Sequence, residues 1–184
     1  MNAPRITAPP AEALDAAQRR LLERTAAALG AVVGPRTILV HDLPLAQAWA
    51  GLGDALKASG LPARARELTI LLVARHWRAG FEWLAHAPAA REAGLSEAVI
   101  DALRRGRVPA FDDALDAAVH GYCAALLATR QVDDETYARA WQALGTVGLV
   151  DLTALLGHYT NVAITLVAHR VALPPGVADP FDGV

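Results

Sequence analysis

The sequence predicts an all-α fold of about seven or eight helices. Three observations carry the prediction. Alanine fills about forty positions and leucine about twenty-six, a usage that favours helix over strand by intrinsic propensity. Ser and Asp caps alternate with Gly and Pro stops at helical spacing. No alternating apolar run is long enough to argue for a sheet.

The elements follow in order. Pro10 opens an Ala/Leu-rich helix to Leu29, ended by Gly30 and the Gly34-Pro35 break. Asp42 caps a second helix, Pro44 to Ser59, whose Leu45, Trp49, Leu52 and Leu56 fall on one stripe. Pro62 starts a third through Glu67, Ile70 and Ala74, which stops between His76 and Gly80. A fourth runs from Phe81 to Ala93, with Pro88 predicting a kink or early break and Gly94 suited to the left-handed cap. Ser96 caps a short helix that stops at Gly106, and Asp112 or Asp113 starts another to Thr129. Asp133 caps a helix through Tyr137, Trp141 and Leu144. The last helix starts near Val147 to Leu149 and runs through Leu155, Tyr159 and Arg170 to Pro174-Pro175. This divides the chain into a flexible N-terminal tail (1–10), one helical domain (11–173) and a flexible C-terminal tail (174–184).

Composition excludes several classes of function. The 184 residues suit a single domain. The net charge of −2, from 17 basic and 19 acidic residues, includes no basic block, so nucleic acid is not an expected partner. The first fourteen residues carry Pro4, Pro9 and Pro10 in place of an apolar signal core, and no uninterrupted apolar run approaches the roughly 18 residues of a membrane span. A soluble, cytoplasmic protein is expected. A single cysteine, Cys123, allows neither an internal disulfide nor a CxxC pair. His41, His76, His120, His158 and His169 show no two-ligand metal spacing.

The most informative local pattern is Phe81-Glu82-Trp83-Leu84-Ala85-His86. Glu82 and His86 are four apart, so on a helix both project from one face, as an acid/base pair or as an ordinary surface ion pair. With the Trp77 to Gly80 segment as a hairpin corner, Glu67 lies roughly 16 Å back along one helix and His86 roughly 12 Å forward along the next, almost level. Glu67 sits in a strongly apolar helix and so needs a partner or an exposed position. Trp77, Phe81 and Trp83 are either pocket walls or plain core, and Arg75 or Arg78 either meets a substrate carboxylate or carries a surface charge. His158 and Tyr159 are either structural or further members of the same cavity. A faint internal echo sets Glu67-Leu68-Thr69-Ile70-Leu71-Leu72 beside Asp151-Leu152-Thr153-Ala154-Leu155-Leu156.

The stretch Leu61 to Leu71, the Phe81 to His86 segment, and Ala90-Arg91-Glu92-Ala93-Gly94-Leu95-Ser96 with Ile100 and Leu103 together resemble the core motif of the carboxymuconolactone decarboxylase family. The resemblance implies the helical alkylhydroperoxidase-D-like fold, assembled as a homodimer, trimer or hexamer. Its peroxidase branch uses a CxxC pair with a histidine four residues after the second cysteine and a glutamate upstream. Aligned on His86 and Glu67, those cysteine positions fall on Ala79 and Glu82, and neither can perform thiolate attack or resolution. The decarboxylase branch fits better. It implies a cofactor-free lyase acting on a small carboxylated lactone or another intermediate of aromatic catabolism, with no metal. His86 would be proton donor, Glu82 its orienting partner or a second acid, and Glu67 the outer member of the relay. Trp83, Phe81, Trp77 and Tyr159 would contact substrate. A non-catalytic ligand-binding oligomer is the alternative, and a thiol peroxidase the third.

Overall fold

The computed structural model describes residues 3–29, 34–174 and 176–184. Among the described residues there are eight α-helices, a short 3-10 turn at Ala11–Ala13, and no strand. The helices are α1 (Ala16–Leu29), α2 (Arg36–Leu39), α3 (Leu43–Lys57), α4 (Ala63–Trp77), α5 (Gly80–Glu92), α6 (Glu97–Arg104), α7 (Ala114–Thr129) and α8 (Asp134–Ala168). The expected stop at Gly30 and the proline Pro175 lie outside the described residues.

The predicted caps are in place. Asp42, Ser96, Asp113 and Asp133 each accept a hydrogen bond from an amide in the first turn of α3, α6, α7 and α8. Asp15, just ahead of α1, accepts from Ala17 and Gln18 amides while the Gln18 side chain accepts from the Asp15 amide, a reciprocal cap. Gly94 and Gly106 adopt the left-handed conformation expected of stops.

α4 is the central helix, packed against α5, α7 and α8. Leu68, Ile70, Leu71, Val73 and Ala74 are fully buried, so its apolar residues wrap most of its circumference. α7 lies beside both halves of the sequence echo: Cys123 meets the Thr69 hydroxyl at 3.7 Å, and Tyr122 meets Thr153 at 2.8 Å.

The two last predicted helices are both present as the halves of α8, separated at Gly145, whose φ of 67° and ψ of 179° no helix tolerates. α8 is long and apolar enough to cross a membrane by length and hydropathy alone. Its Leu152, Leu155, Leu156, Ala163 and Leu166 are buried in the domain core, while only 28% of its most apolar stretch is buried. Three features differ from the sequence reading. α5 runs through Pro88 to Glu92 without breaking there. On α3 the stripe is only partly inward, because Leu56 is buried while Leu45 and Leu52 are exposed.

The third difference concerns the tails. The C-terminal segment, expected to be flexible, is packed: Phe181 is fully buried against Trp83, ring centroids 5.3 Å apart, beneath the guanidinium groups of Arg75 and Arg78. Arg78 donates to the Phe181 and Val184 carbonyls, and Arg104 to that of Pro180. At the other end, the amide and side chain of Arg5 cap the α8 terminus through the His169 and Ala168 carbonyls.

Candidate active site

The α4–α5 corner positions the site. α4 ends with Arg78 in the left-handed conformation, where the Ala79 amide reaches back to the Ala74 carbonyl and the Arg78 amide to that of Arg75. This tight reversal lays α5 antiparallel to α4 and makes Glu67 level with His86. The Glu67 Oε2 lies 2.8 Å from His86 Nδ1. A carboxylate accepts, so Nδ1 carries the proton and Nε2 is left to face a reacting group. The second Glu67 oxygen is 3.3 Å from Arg66 Nε. Glu67 itself is buried, and these two contacts supply the partners its apolar helix demands.

Glu82 lies one turn before His86 on the same face of α5 and is 2% exposed. Neither of its oxygens has a hydrogen-bond partner among the described residues. Burial in this low-dielectric setting pushes its carboxyl well above the usual range and favours the neutral acid. A buried acid with an unused proton beside an imidazole with an unused nitrogen is the arrangement that general acid/base chemistry requires.

Tyr159 of α8 closes the other side, its ring edge-on to His86 at 5.1 Å and 88°. Burial above all, and then the Glu67 carboxylate, raise its phenol and hold it neutral. His158 stacks edge-on against Tyr159 at 5.3 Å, and Trp49 of α3 against His158 at 5.9 Å. Burial lowers the His158 pKa, which keeps that ring uncharged.

The structure thus brings together Glu67, Glu82, His86 and Tyr159, and it does not bring the other expected contacts to them. Trp83 points into the core against Phe181. Phe81 lines a separate cleft of about 360 Å³ with Arg78, Leu166 and Arg170. Both lie one residue from Glu82, and so about 100° around the helix to either side of the acid/base face. Trp77, ten residues along α4 from Glu67, stacks on His76 at 5.5 Å at the far end of that helix. Arg75 and Arg78 are engaged with the Phe181 segment. Sequence reasoning missed Arg66, whose signal was its place directly before Glu67. A second cleft, about 380 Å³ between Tyr122, Tyr137 and Thr153, also excludes the acid/base residues. Solvent reaches the site at His86 and Arg66, whose side chains are 23% and 22% exposed.

Cys123 is fully buried on α7, and burial pushes its thiol up to about 12. Its hydroxyl contact is Thr69, away from His86. No group of three or more His, Cys, Asp or Glu able to hold a metal ion occurs among the described residues.

Comparison with known proteins adds the following. Residues 44–134 match the carboxymuconolactone decarboxylase family, a span that includes Glu67, Glu82 and His86 but not Tyr159. A peroxidase-related protein from Ralstonia eutropha, with an alkylhydroperoxidase AhpD core, superposes with a TM-score of 0.73 at 17% identity, covering 98% of this chain and 96% of its own. A peroxidase-related protein from a Silicibacter species gives 0.74 at 16% identity, covering 95% and 94%. A protein of unknown function from Agrobacterium tumefaciens, described as an AhpD antioxidant defence protein, gives 0.67 at 19%, covering 74% and 95%. No curated protein matches the sequence significantly.

Proposed function

We propose that this chain is a cofactor-free acid/base enzyme of the decarboxylase type, acting on a small carboxylated lactone or a related ring-cleavage product, because residues 44–134 match the carboxymuconolactone decarboxylase family and the helices share the AhpD fold. The observation that carries the reading is the conjunction of the Glu67–His86 hydrogen bond with the buried, unpartnered Glu82 one turn away.

Decarboxylation breaks the bond between a carbon and its carboxylate. Carbon dioxide departs, the bonding pair moves into the conjugated lactone, and one proton must then be delivered to carbon. Glu67 fixes the His86 ring through Nδ1, so that Nε2, once it has taken up a proton from solvent, can deliver that proton to carbon. Glu82 as a neutral acid avoids placing a second negative charge beside the departing carboxylate, and its proton is available to the lactone oxygen on which charge accumulates. The Tyr159 phenol, also neutral, adds a second donor on the opposite side.

A thiol-peroxidase reading is suggested by the names of the structural neighbours but lacks its chemistry. Ala79 and Glu82 occupy the sulfur positions, and Cys123 is buried with a thiol that is not ionised at neutral pH. A homo-oligomer is in keeping with the apolar side chains exposed along α8, among them Tyr137, Trp141, Val147 and Val150.

The test is release of carbon dioxide from a panel of carboxylated butenolides. His86→Ala is expected to lower turnover by about 10²- to 10⁴-fold, the usual contribution of a positioned acid/base, with the helical circular dichroism unchanged. Turnover equal to wild type would remove His86 from the mechanism.

A further inference from the structure

The acid/base reading leaves Arg66 without a task. Its Nε contacts Glu67 Oε1 at 3.3 Å, and no hydrogen bond occupies either terminal nitrogen among the described residues. The side chain is 22% exposed and shares the solvent-facing side of the site with His86. Arg66 and His86 meet the two oxygens of the same Glu67 carboxylate, which places the guanidinium beside the imidazole. The alternatives at this corner are occupied: Arg75 and Arg78 lie over the Phe181 ring, and Arg78 is hydrogen-bonded to the C-terminal carbonyls.

The charges in the site do not repel an anion. Arg66 balances Glu67, while Glu82 and Tyr159 are held neutral, so an approaching carboxylate meets no net negative field. A guanidinium with two free terminal nitrogens matches a carboxylate edge-on, with parallel donors.

From this geometry we infer that Arg66 anchors a carboxylate of the substrate through its terminal nitrogens and thereby makes the site selective for anions over neutral lactones. The inference rests on the acid/base reading for the location of the reacting carbon. The anchored carboxylate is one the substrate keeps. A charge paired with guanidinium is stabilised before reaction, whereas the departing carboxylate must lose its charge as carbon dioxide and belongs on the Glu82 side.

The probe is a butenolide bearing an acetate side chain, compared with its methyl ester by ligand-observed NMR titration on wild type, Arg66→Met and Arg66→Lys. Wild type should bind the acid at least about tenfold more tightly than the ester, the usual worth of a charge-assisted pair. Arg66→Met should lose that preference while binding the ester as before, which also shows that the variant is folded, and Arg66→Lys should retain part of it. A preference that survives Arg66→Met, or a wild type that does not favour or does not bind the acid, overturns the assignment. Arg66-dependent binding with no carbon dioxide released from any of the carboxylated butenolides would sink the decarboxylase reading and leave the anchor standing. His86-dependent release with Arg66-independent binding would do the reverse.

Discussion

Glu67 Oε2 sits 2.8 Å from His86 Nδ1, joining two side chains nineteen residues apart across the α4–α5 corner. The contact decides which imidazole nitrogen is protonated, and so which one is left to exchange a proton.

Glu67→Gln tests that control. The amide keeps the shape of the carboxylate but can donate to Nδ1, which moves the ring proton to Nε2. Histidine ¹⁵N shifts should report Nδ1–H in wild type and Nε2–H in the variant, and turnover should fall by about 10²-fold or more. Unchanged ¹⁵N shifts would show that Glu67 does not set the tautomer.

Glu82 makes a prediction about stability. Its folded pKa is raised by burial, so the folded state holds the proton after the unfolded chain, near its ordinary value of 4.5, has released it. Below that value both states are protonated and the group has no effect. As pH rises above 4.5, the unfolded state gains by ionising, and the fold loses about 1.4 kcal/mol per pH unit from this group until its own pKa is reached. Glu82→Gln, uncharged at every pH, removes the loss. Urea melts of wild type and variant between pH 4.5 and 7 should therefore diverge in favour of the variant as pH rises. Curves that stay parallel would mean Glu82 is solvated or paired in solution.

Much of this was legible in the sequence because it rests on local rules. Asp42, Ser96, Asp113 and Asp133 cap where short polar residues precede apolar periodicity, and the level pairing of Glu67 with His86 follows from a hairpin corner and a fixed rise per residue. The pocket walls were legible only in part, for of Trp77, Phe81, Trp83 and Tyr159 only Tyr159 lies against His86. Glu82 and His86 share a face by their spacing, but which neighbours line it depends on helix phase and on what packs opposite. Trp83 went to the core and Tyr159 came from seventy-three residues downstream. Arg66 was hidden for a different reason: a basic residue beside an acidic one on a helix reads as ordinary surface charge until its neighbour is known to be buried.

Cys123 separates redox from proton chemistry. With the thiol pushed up to about 12 and fully buried, almost none is thiolate at pH 8. Iodoacetamide should label the native protein far more slowly than the urea-unfolded chain, and Cys123→Ser should leave turnover of a carboxylated lactone within about twofold of wild type, since the side chain is a core packing group whose polar contact is Thr69. Rapid native labelling, or turnover lost with the substitution, would return the thiol to the mechanism.

Phe181 tests whether the C-terminal segment is part of the fold. It carries no periodic signal, because a single aromatic anchor after a proline pair leaves no pattern for sequence reasoning to detect. Yet its ring is buried against Trp83 and beneath two guanidinium groups, with Arg78 and Arg104 holding the carbonyls on either side. Phe181→Ala opens a cavity at this junction and should cost about 3–5 kcal/mol, the range for removing a buried phenyl ring. The same change loosens Arg78, whose left-handed backbone forms the corner that sets Glu67 level with His86. A melting curve of the variant at neutral pH should show the loss directly. A midpoint equal to wild type would mean that the segment rests on the surface in solution and that the α4–α5 corner holds its geometry without it.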